Sequence, residues 1–263
     1  MKVFKEKHFT NGSVFGIHLT DGFKIEVTDT FLPYETKFCV NGTNQLTSTN
    51  PGSRLERWMV GVSCMSGCPV GCRFCATGQL QNWRNLSEKE MVNQVMFVLV
   101  RNNSIDPNHS KEFKINWTRM GEPFLNIKEI RTAMETISAV VPDTHHYIST
   151  IGIKNSDFSW IEGNTTLQIS LHSLDEKRRH ELIPFGNALM SIEELGRIRT
   201  RSSQKTTINL TLVDMADFDI EKLKKNFDPE FFFIKLSPIN PNPVSLSNGM
   251  DTGLLGNSTH NLV

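Results

Sequence analysis

The sequence has no surplus of either charge: Lys plus Arg total 28, and Asp plus Glu total 28. It therefore gives no global electrostatic argument for nucleic acid or an anionic membrane as partner, although a local basic patch stays open. Long apolar runs are also lacking. The longest, Val95-Met96-Phe97-Val98-Leu99-Val100, is far short of the ~18 residues that suggest a membrane span. The first residues, Met1-Lys2-Val3-Phe4-Lys5-Glu6-Lys7, contain no stretch of signal-peptide length. The expectation is a cytoplasmic protein with no membrane partner. No internal repeat is visible. Cysteine is scarce, five in 263 residues, and it is not spread as a disulfide framework would be. What is present, 38% hydrophobic and 21% charged residues, is a globular composition. The length suits one large domain or two small ones at roughly 100–200 residues each, able to bury about three quarters of its unfolded surface.

Along the chain, Val14 to Leu19 and Lys24 to Val27 are extended-type runs around Asp21-Gly22, a tight-turn pair. Residues 40–57 carry Asn, Gly, Thr, Ser and Pro, marking a long loop. Ser87 with Glu90 makes a capping box, opening a helix with Met91, Val95, Val98 and Leu99 inward. Strands are expected at Phe113 to Trp117, Tyr147 to Thr150, Leu167 to Leu171, Thr206 to Val213 and Phe231 to Leu236. Helices are expected at Ile127 to Val140, Ile192 to Ile198 and Ile220 to Phe227. Alternating strands and helices imply parallel strands with helices over them. The expected fold class is α/β, a full or partial (β/α) barrel with an N-terminal β-hairpin and its site at the C-terminal strand ends. The expected organisation is a hairpin extension over 1–45, a core barrel over 46–245 and a mobile tail over 246–263, rich in Ser, Asn, Gly and Thr.

Four of the five cysteines, Cys64, Cys68, Cys72 and Cys75, fall within twelve residues. Cys39 stands apart and reads as an ordinary free thiol. Cys68-Pro69-Val70-Gly71-Cys72-Arg73-Phe74-Cys75 has the spacing C-x-x-x-C-x-x-C. Three such thiolates can hold three irons of a cubane [4Fe-4S] cluster and leave the fourth iron open to substrate. Gly67 and Gly71 let backbone wrap closely, with amide groups free to donate to cluster sulfurs. A structural zinc with Cys64 as fourth ligand is the alternative, in a non-enzymatic binding module. Zinc loops usually pair two separated C-x-x-C knuckles, and there is no second knuckle here.

This spacing, with an aromatic residue before the last cysteine, resembles the radical S-adenosylmethionine superfamily. Met120-Gly121-Glu122-Pro123, Ser149-Thr150-Ile151-Gly152, Ile169-Ser170-Leu171-His172-Ser173 and Leu236-Ser237-Pro238-Ile239-Asn240 follow in order at strand ends. Together they resemble the RlmN/Cfr-type ribosomal-RNA adenine methyltransferase branch, from about Val14 to Asn240. The resemblance implies a [4Fe-4S] cluster on Cys68, Cys72 and Cys75 and S-adenosylmethionine as cofactor. It implies that Gly121 and Glu122 hold the methionine amino group. Ser149, Ser170, Leu171 and His172 would take the ribose and carboxylate side, and Asn240 the adenine. It places Glu26 of the hairpin near the substrate base, as a proton acceptor. Read alone, a Ser or Asn at a strand end is a cap, His172 a core histidine, and Glu26 a solvated hairpin residue.

The branch keeps a cysteine seven residues before the first cluster cysteine and a methyl-carrying one near its C-terminus. Here the first position is Gly61, and no cysteine follows Cys75. Neither Ser nor Asn is nucleophilic enough to replace such a carrier without activation. The hairpin starts so early that the family's N-terminal RNA-binding extension is not expected. The resulting expectation is a radical enzyme that cleaves S-adenosylmethionine and modifies a nucleobase or nucleotide-like substrate. An electron donor such as flavodoxin or ferredoxin is implied, and RNA adenine methylation is the alternative. Arg197, Arg199, Arg201 and Lys205, with Lys177, Arg178 and Arg179, either meet phosphates or form a solvated face.

Overall fold

The computed structural model describes residues 1–34, 50–214, 217–239 and 241–250. Cys39, Asn240 and residues 251–263 of the expected tail lie outside them. In chain order the elements are β1 (Lys2–Phe9), β2 (Gly12–His18), β3 (Lys24–Leu32), β4 (Arg57–Gly61), β5 (Met65–Ser66), β6 (Arg84–Asn85), α1 (Glu88–Arg101), β7 (Glu112–Trp117), α2 (Ile127–Val140) and β8 (His145–Thr150). They continue with β9 (Glu162–Gly163), β10 (Thr165–Ser170), α3 (Glu176–Leu182), α4 (Ile192–Gly196), β11 (Arg201–Ser202), β12 (Thr206–Leu212), α5 (Ile220–Asn226), β13 (Phe232–Pro238) and α6 (Pro243–Ser247). No described helix is long and apolar enough to cross a membrane.

The chain divides into two compact units. The first comprises Met1–Cys64, Leu86–Arg119 and Ile127–His146. Its strands run in the order β1-β2-β3-β4-β7, antiparallel up to β4 and then parallel between β4 and β7. The Asp21-Gly22 turn joins β2 to β3 as expected, with Gly22 at φ 87°. Alternation buries Phe15 and Ile17 on β2, Ile25 and Val27 on β3, and Ile115 and Trp117 on β7. Helix α1 starts at the expected box: Ser87 Oγ accepts from Glu90 N, and Glu90 reaches back to Ser87 N. Helix α2 buries Ile130, Met134 and Ile137, the expected stripe. Strands β1 and β4 and helix α3 were not expected from the sequence. β1 reads as a polar stretch and indeed leaves most of its residues exposed.

Two buried polar side chains of this unit, Asp29 and His146, are paired. Asp29 accepts from Arg54 (2.7 and 3.2 Å), Trp58 Nε1 (2.8 Å) and Asn102 Nδ2 (3.0 Å). His146 Nδ1 lies 3.3 Å from Trp117 Nε1, a donor only. The ring proton therefore sits on Nε2, 3.0 Å from Ser138 Oγ. Burial, helped by the neighbouring His145, pulls the His146 pKa down from 6.5 to about 3. An unfolded chain takes up a proton here between pH 6.5 and 3, and the folded one does not. Stability is therefore full above pH 6.5 and falls as pH drops toward 3, by about 1.4 kcal/mol per pH unit. A His146→Phe variant is expected to show a shallower decline in this window by about one proton, read from urea unfolding at several pH values. An unchanged slope would exclude His146 as its source.

The second unit comprises Met65–Asn85, Met120–Asn126 and the described residues from Tyr147 onward. Its main strands run β8-β10-β12-β13, with β10-β12 and β12-β13 parallel. Neither unit's described strand order closes on itself, so of a full or partial barrel the chain builds the open form. Helix α4 ends at Gly196, short of the expected Ile198. A Cβ at Gly196 would stand 2.1 Å from the Asn226 carbonyl oxygen, so glycine here admits the end of α5. Several basic residues of this unit are ion-paired with carboxylates: Arg197 with Glu193, Arg201 with Glu162, and Arg178 with Asp217 and Glu181. Arg179 is wholly buried, which corrects its grouping with an accessible basic cluster.

Candidate functional site

The cysteine loop follows β5 and lies entirely in the second unit. Gly67 and Gly71 both have positive φ, 74° and 71°, which turns the loop back on itself. The Cys75 amide donates to the Cys72 carbonyl (3.0 Å), and the Arg73 amide to Leu182 O at the end of α3 (3.0 Å). Cys68, Cys72 and Phe74 pack against buried Val70, Ile151, Leu182, Ile183, Leu189, Ile239 and Met250. Cys68, Cys72 and Cys75 are partly exposed, whereas Cys64 is buried in the first unit. Burial pushes the Cys68 thiol up to about 12, opposed by the Val70 amide and reinforced by Glu122 and Cys75. Cys72 is raised well above its usual value by burial, then by Cys75 and Cys68. Among the described residues, no three His, Cys, Asp or Glu side chains group as ligands of a single metal ion. As a donor set, three thiols on one turned loop over an apolar floor fit three irons of a cubane cluster.

Gly121 and Glu122 stand beyond the end of β7, Gly121 at φ 109°. Glu122 is 3% exposed. Its carboxylate accepts from Thr150 Oγ1 (2.6 Å), Ile151 N (3.0 Å) and Phe124 N (3.1 Å), capping the Pro123–Leu125 turn. Burial raises its pKa from 4.5 to about 7 against those three bonds. The side chain thus ties the Gly-Glu-Pro loop to the end of β8, while Gly121 exposes backbone with no side chain in the way.

On β8 and β10, Ser149 Oγ and Ser170 Oγ lie 3.0 Å apart. A chain of bonds fixes them: Tyr147 OH donates to Gln168 Oε1 (2.7 Å), and Gln168 Nε2 donates to Ser149 Oγ (2.9 Å). Leu171, wholly buried, donates its amide to Asn209 O (2.9 Å). His172 has φ 65°, unusual for a residue with a side chain. Its Nδ1 accepts from Thr211 N (3.3 Å), which puts the ring proton on Nε2. Burial and then the charge of Arg179 hold its pKa down at about 3, so the ring is neutral. The Phe74 ring of the cysteine loop stands edge-on to it at 4.7 Å. The structure therefore brings Cys68, Cys72, Cys75, Gly121, Glu122, Ser149, Ser170, Leu171 and His172 into one unit.

Glu26 lies in the first unit, on β3. Its carboxylate is ion-paired with Arg119, just beyond β7, and its carbonyl accepts from Ser63 Oγ (2.6 Å). Arg119 was missed by the sequence reading, since no motif carries it. Its chain also lies over Gly61: a Cβ there would stand 2.2 Å from Thr28 Oγ1 and 2.9 Å from Arg119 Cδ. Asn242 and Asn248 were missed as well. Their Nδ2 groups donate to Phe74 O (3.0 Å) and Arg73 O (2.8 Å). Asn242-Pro243, a cap followed by proline at the first helical position, was the available signal.

No protein-family model matches the chain. It is 28% identical over 239 residues to the dual-specificity RNA methyltransferase RlmN of Helicobacter hepaticus (strain ATCC 51449 / 3B1), covering 86% of this chain and 64% of that protein. It is 31% identical over 202 residues to the probable RlmN of Corynebacterium diphtheriae, covering 70% and 54%. The chain spans between about half and two thirds of these relatives' length. Among solved structures, a radical SAM methyltransferase from Sphaerobacter thermophilus superposes with a TM-score of 0.70 at 24% identity, over 92% of this chain and 68% of that one. The fold is thus that of a solved radical SAM methyltransferase, and the sequence is similar to RlmN methyltransferases over about half to two thirds of their length.

Proposed function

We propose that the chain is a radical S-adenosylmethionine enzyme acting on a nucleobase or nucleotide-like substrate. The observation that carries this is the placement of the three-thiol loop and the Gly121, Ser149, Ser170 and His172 strand ends in one unit. Cys68, Cys72 and Cys75 would hold a four-iron cluster. When bound, such a cluster would supply the electron for reductive cleavage of S-adenosylmethionine. Gly121 lets backbone approach the methionine end, with Glu122 positioning that loop from below. The paired hydroxyls of Ser149 and Ser170 and the Nε2–H of neutral His172 suit the ribose and carboxylate side, and Asn240 the adenine. A flavodoxin or ferredoxin would deliver the electron.

RNA adenine methylation is the second reading, favoured by the names of the relatives. Against a methyl relay through position 61 stands the space there, filled by Thr28 and Arg119. Anaerobic reconstitution of the full chain is expected to give about four irons and four sulfides per chain. On reduction with S-adenosylmethionine, 5′-deoxyadenosine is expected without S-adenosylhomocysteine. Stoichiometric S-adenosylhomocysteine in the presence of RNA would select methylation instead. A chain that takes up zinc and no iron–sulfur cluster would overturn both.

A further inference from the structure

Helix α6 is short, five residues, yet both of its ends are tied to the backbone between two of the cysteines. At its start, Asn242 uses its side chain twice. The Oδ1 accepts from Val244 N and Ser245 N (3.0 and 3.2 Å), capping the helix, while the Nδ2 donates to Phe74 O (3.0 Å). Past its end, Asn248 Nδ2 donates to Arg73 O (2.8 Å) and Val244 O (3.0 Å). Two residues on, Met250 is buried in the same apolar group as Val70, with Cys68 and Cys72 packed against it. Its amide returns to Ser245 O (2.8 Å), which folds the segment back over the helix. From the opposite direction the Arg73 amide is held by Leu182 O.

The consequence is specific to the segment between Cys72 and Cys75. Its two intervening carbonyls, Arg73 O and Phe74 O, both accept from α6, and one of its amides is bound by α3. A turned loop of this kind has few bonds of its own; the only one within the segment is Cys75 N to Cys72 O. Left to water, it would sample several directions for its two sulfurs, because a loop with few internal bonds opens at little cost.

We propose that α6 is a latch that holds the Cys72–Cys75 segment in its ligand-presenting conformation, with Asn242 and Asn248 as its positioning residues. The latch rests on the reading of that loop as a cluster loop, but its mechanical part does not require a bound cluster. It also gives the residues just after Asn240 a role: a clamp on the loop, independent of any thiol they lack.

The test uses Asn242→Ser and Asn248→Ser together in the full chain. Serine keeps the helix cap and adds no charge, but is too short to reach either carbonyl. Amide exchange is read by mass spectrometry on the protein before iron is added. Peptides covering residues 70–76 are expected to exchange about tenfold faster or more, as two hydrogen bonds are lost. Exchange elsewhere in the second unit stays as in the unaltered chain. After reconstitution, iron release to a chelator is expected to be faster by a similar factor. Unchanged exchange in 70–76, or a rise spread evenly over the whole unit, would overturn the latch. If the unaltered chain takes up no cluster, the exchange result still stands on its own, and only the reading of the loop fails.

Discussion

Cys72→Ala is expected to bind no four-iron cluster and to form no 5′-deoxyadenosine above background, a loss on the order of a thousandfold or more. Without its electron source the reaction has no partial route. The reason lies in supply. The second unit contains three cysteines, all on the one loop, and none of its remaining sequence offers another. Cys72 is the middle cysteine of the loop, packed on the apolar floor, with its carbonyl closing the turn that places Cys75. Alanine keeps the turn, since the carbonyl stays, and removes only the sulfur, so a folding defect is not expected. Cys64→Ala is the matched control. That thiol is 2% exposed in the first unit, and iron content and cofactor cleavage are expected to survive its loss. Iron analysis and product chromatography decide both. A Cys72→Ala protein with a full complement of iron would sink the assignment, and a clusterless Cys64→Ala protein would make Cys64 a ligand.

The sequence was most legible where one residue type answers to one local rule. The Ser87 box, the Asp21-Gly22 turn and the Ile130-Met134-Ile137 stripe each state their structure within a few positions, and each forms as read. The cysteine spacing is equally local. Legibility failed where a role depends on what arrives from far along the chain. Gln94 reads as one polar residue on an apolar helix, yet its amide clasps both Ser63 N and Ser63 O at 2.9 Å. Glu122 reads as a carboxylate free to meet an ammonium group. The fold turns its side chain inward onto Thr150 and Ile151, a pairing that nothing near Glu122 in the sequence announces. In sequence Asn248 falls within the tail expected over 246–263 and Asn242 just before it, and only the return of the chain across Arg73 and Phe74 gives them a function.

Lys177, Arg178 and Arg179 make the same point with the largest energetic contrast, because three adjacent basic residues have three different environments. Lys177 is exposed, Arg178 is half-buried, and the Arg179 side chain has no exposure at all. Helical geometry sets this, turning the third residue of the run toward the interior. There Arg179 Nη2 donates to Ile151 O (2.7 Å) and Nη1 to Met190 O (2.5 Å), while Nε finds no partner. Burial lowers its pKa from 12.5 to about 10, only partly offset by Glu176, so the guanidinium remains charged at neutral pH. Ile151 is thereby pinned on both sides, its amide by Glu122 and its carbonyl by Arg179. Arg179→Met fills similar volume but strands two carbonyls that have lost their donor. The expected cost is about 2–6 kcal/mol, at roughly 1–3 kcal/mol for each of the two buried groups left unpaired. That is a large share of the ~5–15 kcal/mol that holds a typical chain folded. Lys177→Met, one helical position from an equally exposed neighbour, is expected to stay within about 0.5 kcal/mol of the unaltered protein. Urea unfolding of the two variants side by side measures both, and an Arg179→Met midpoint as high as that of Lys177→Met would show that the buried guanidinium contributes nothing net to the fold.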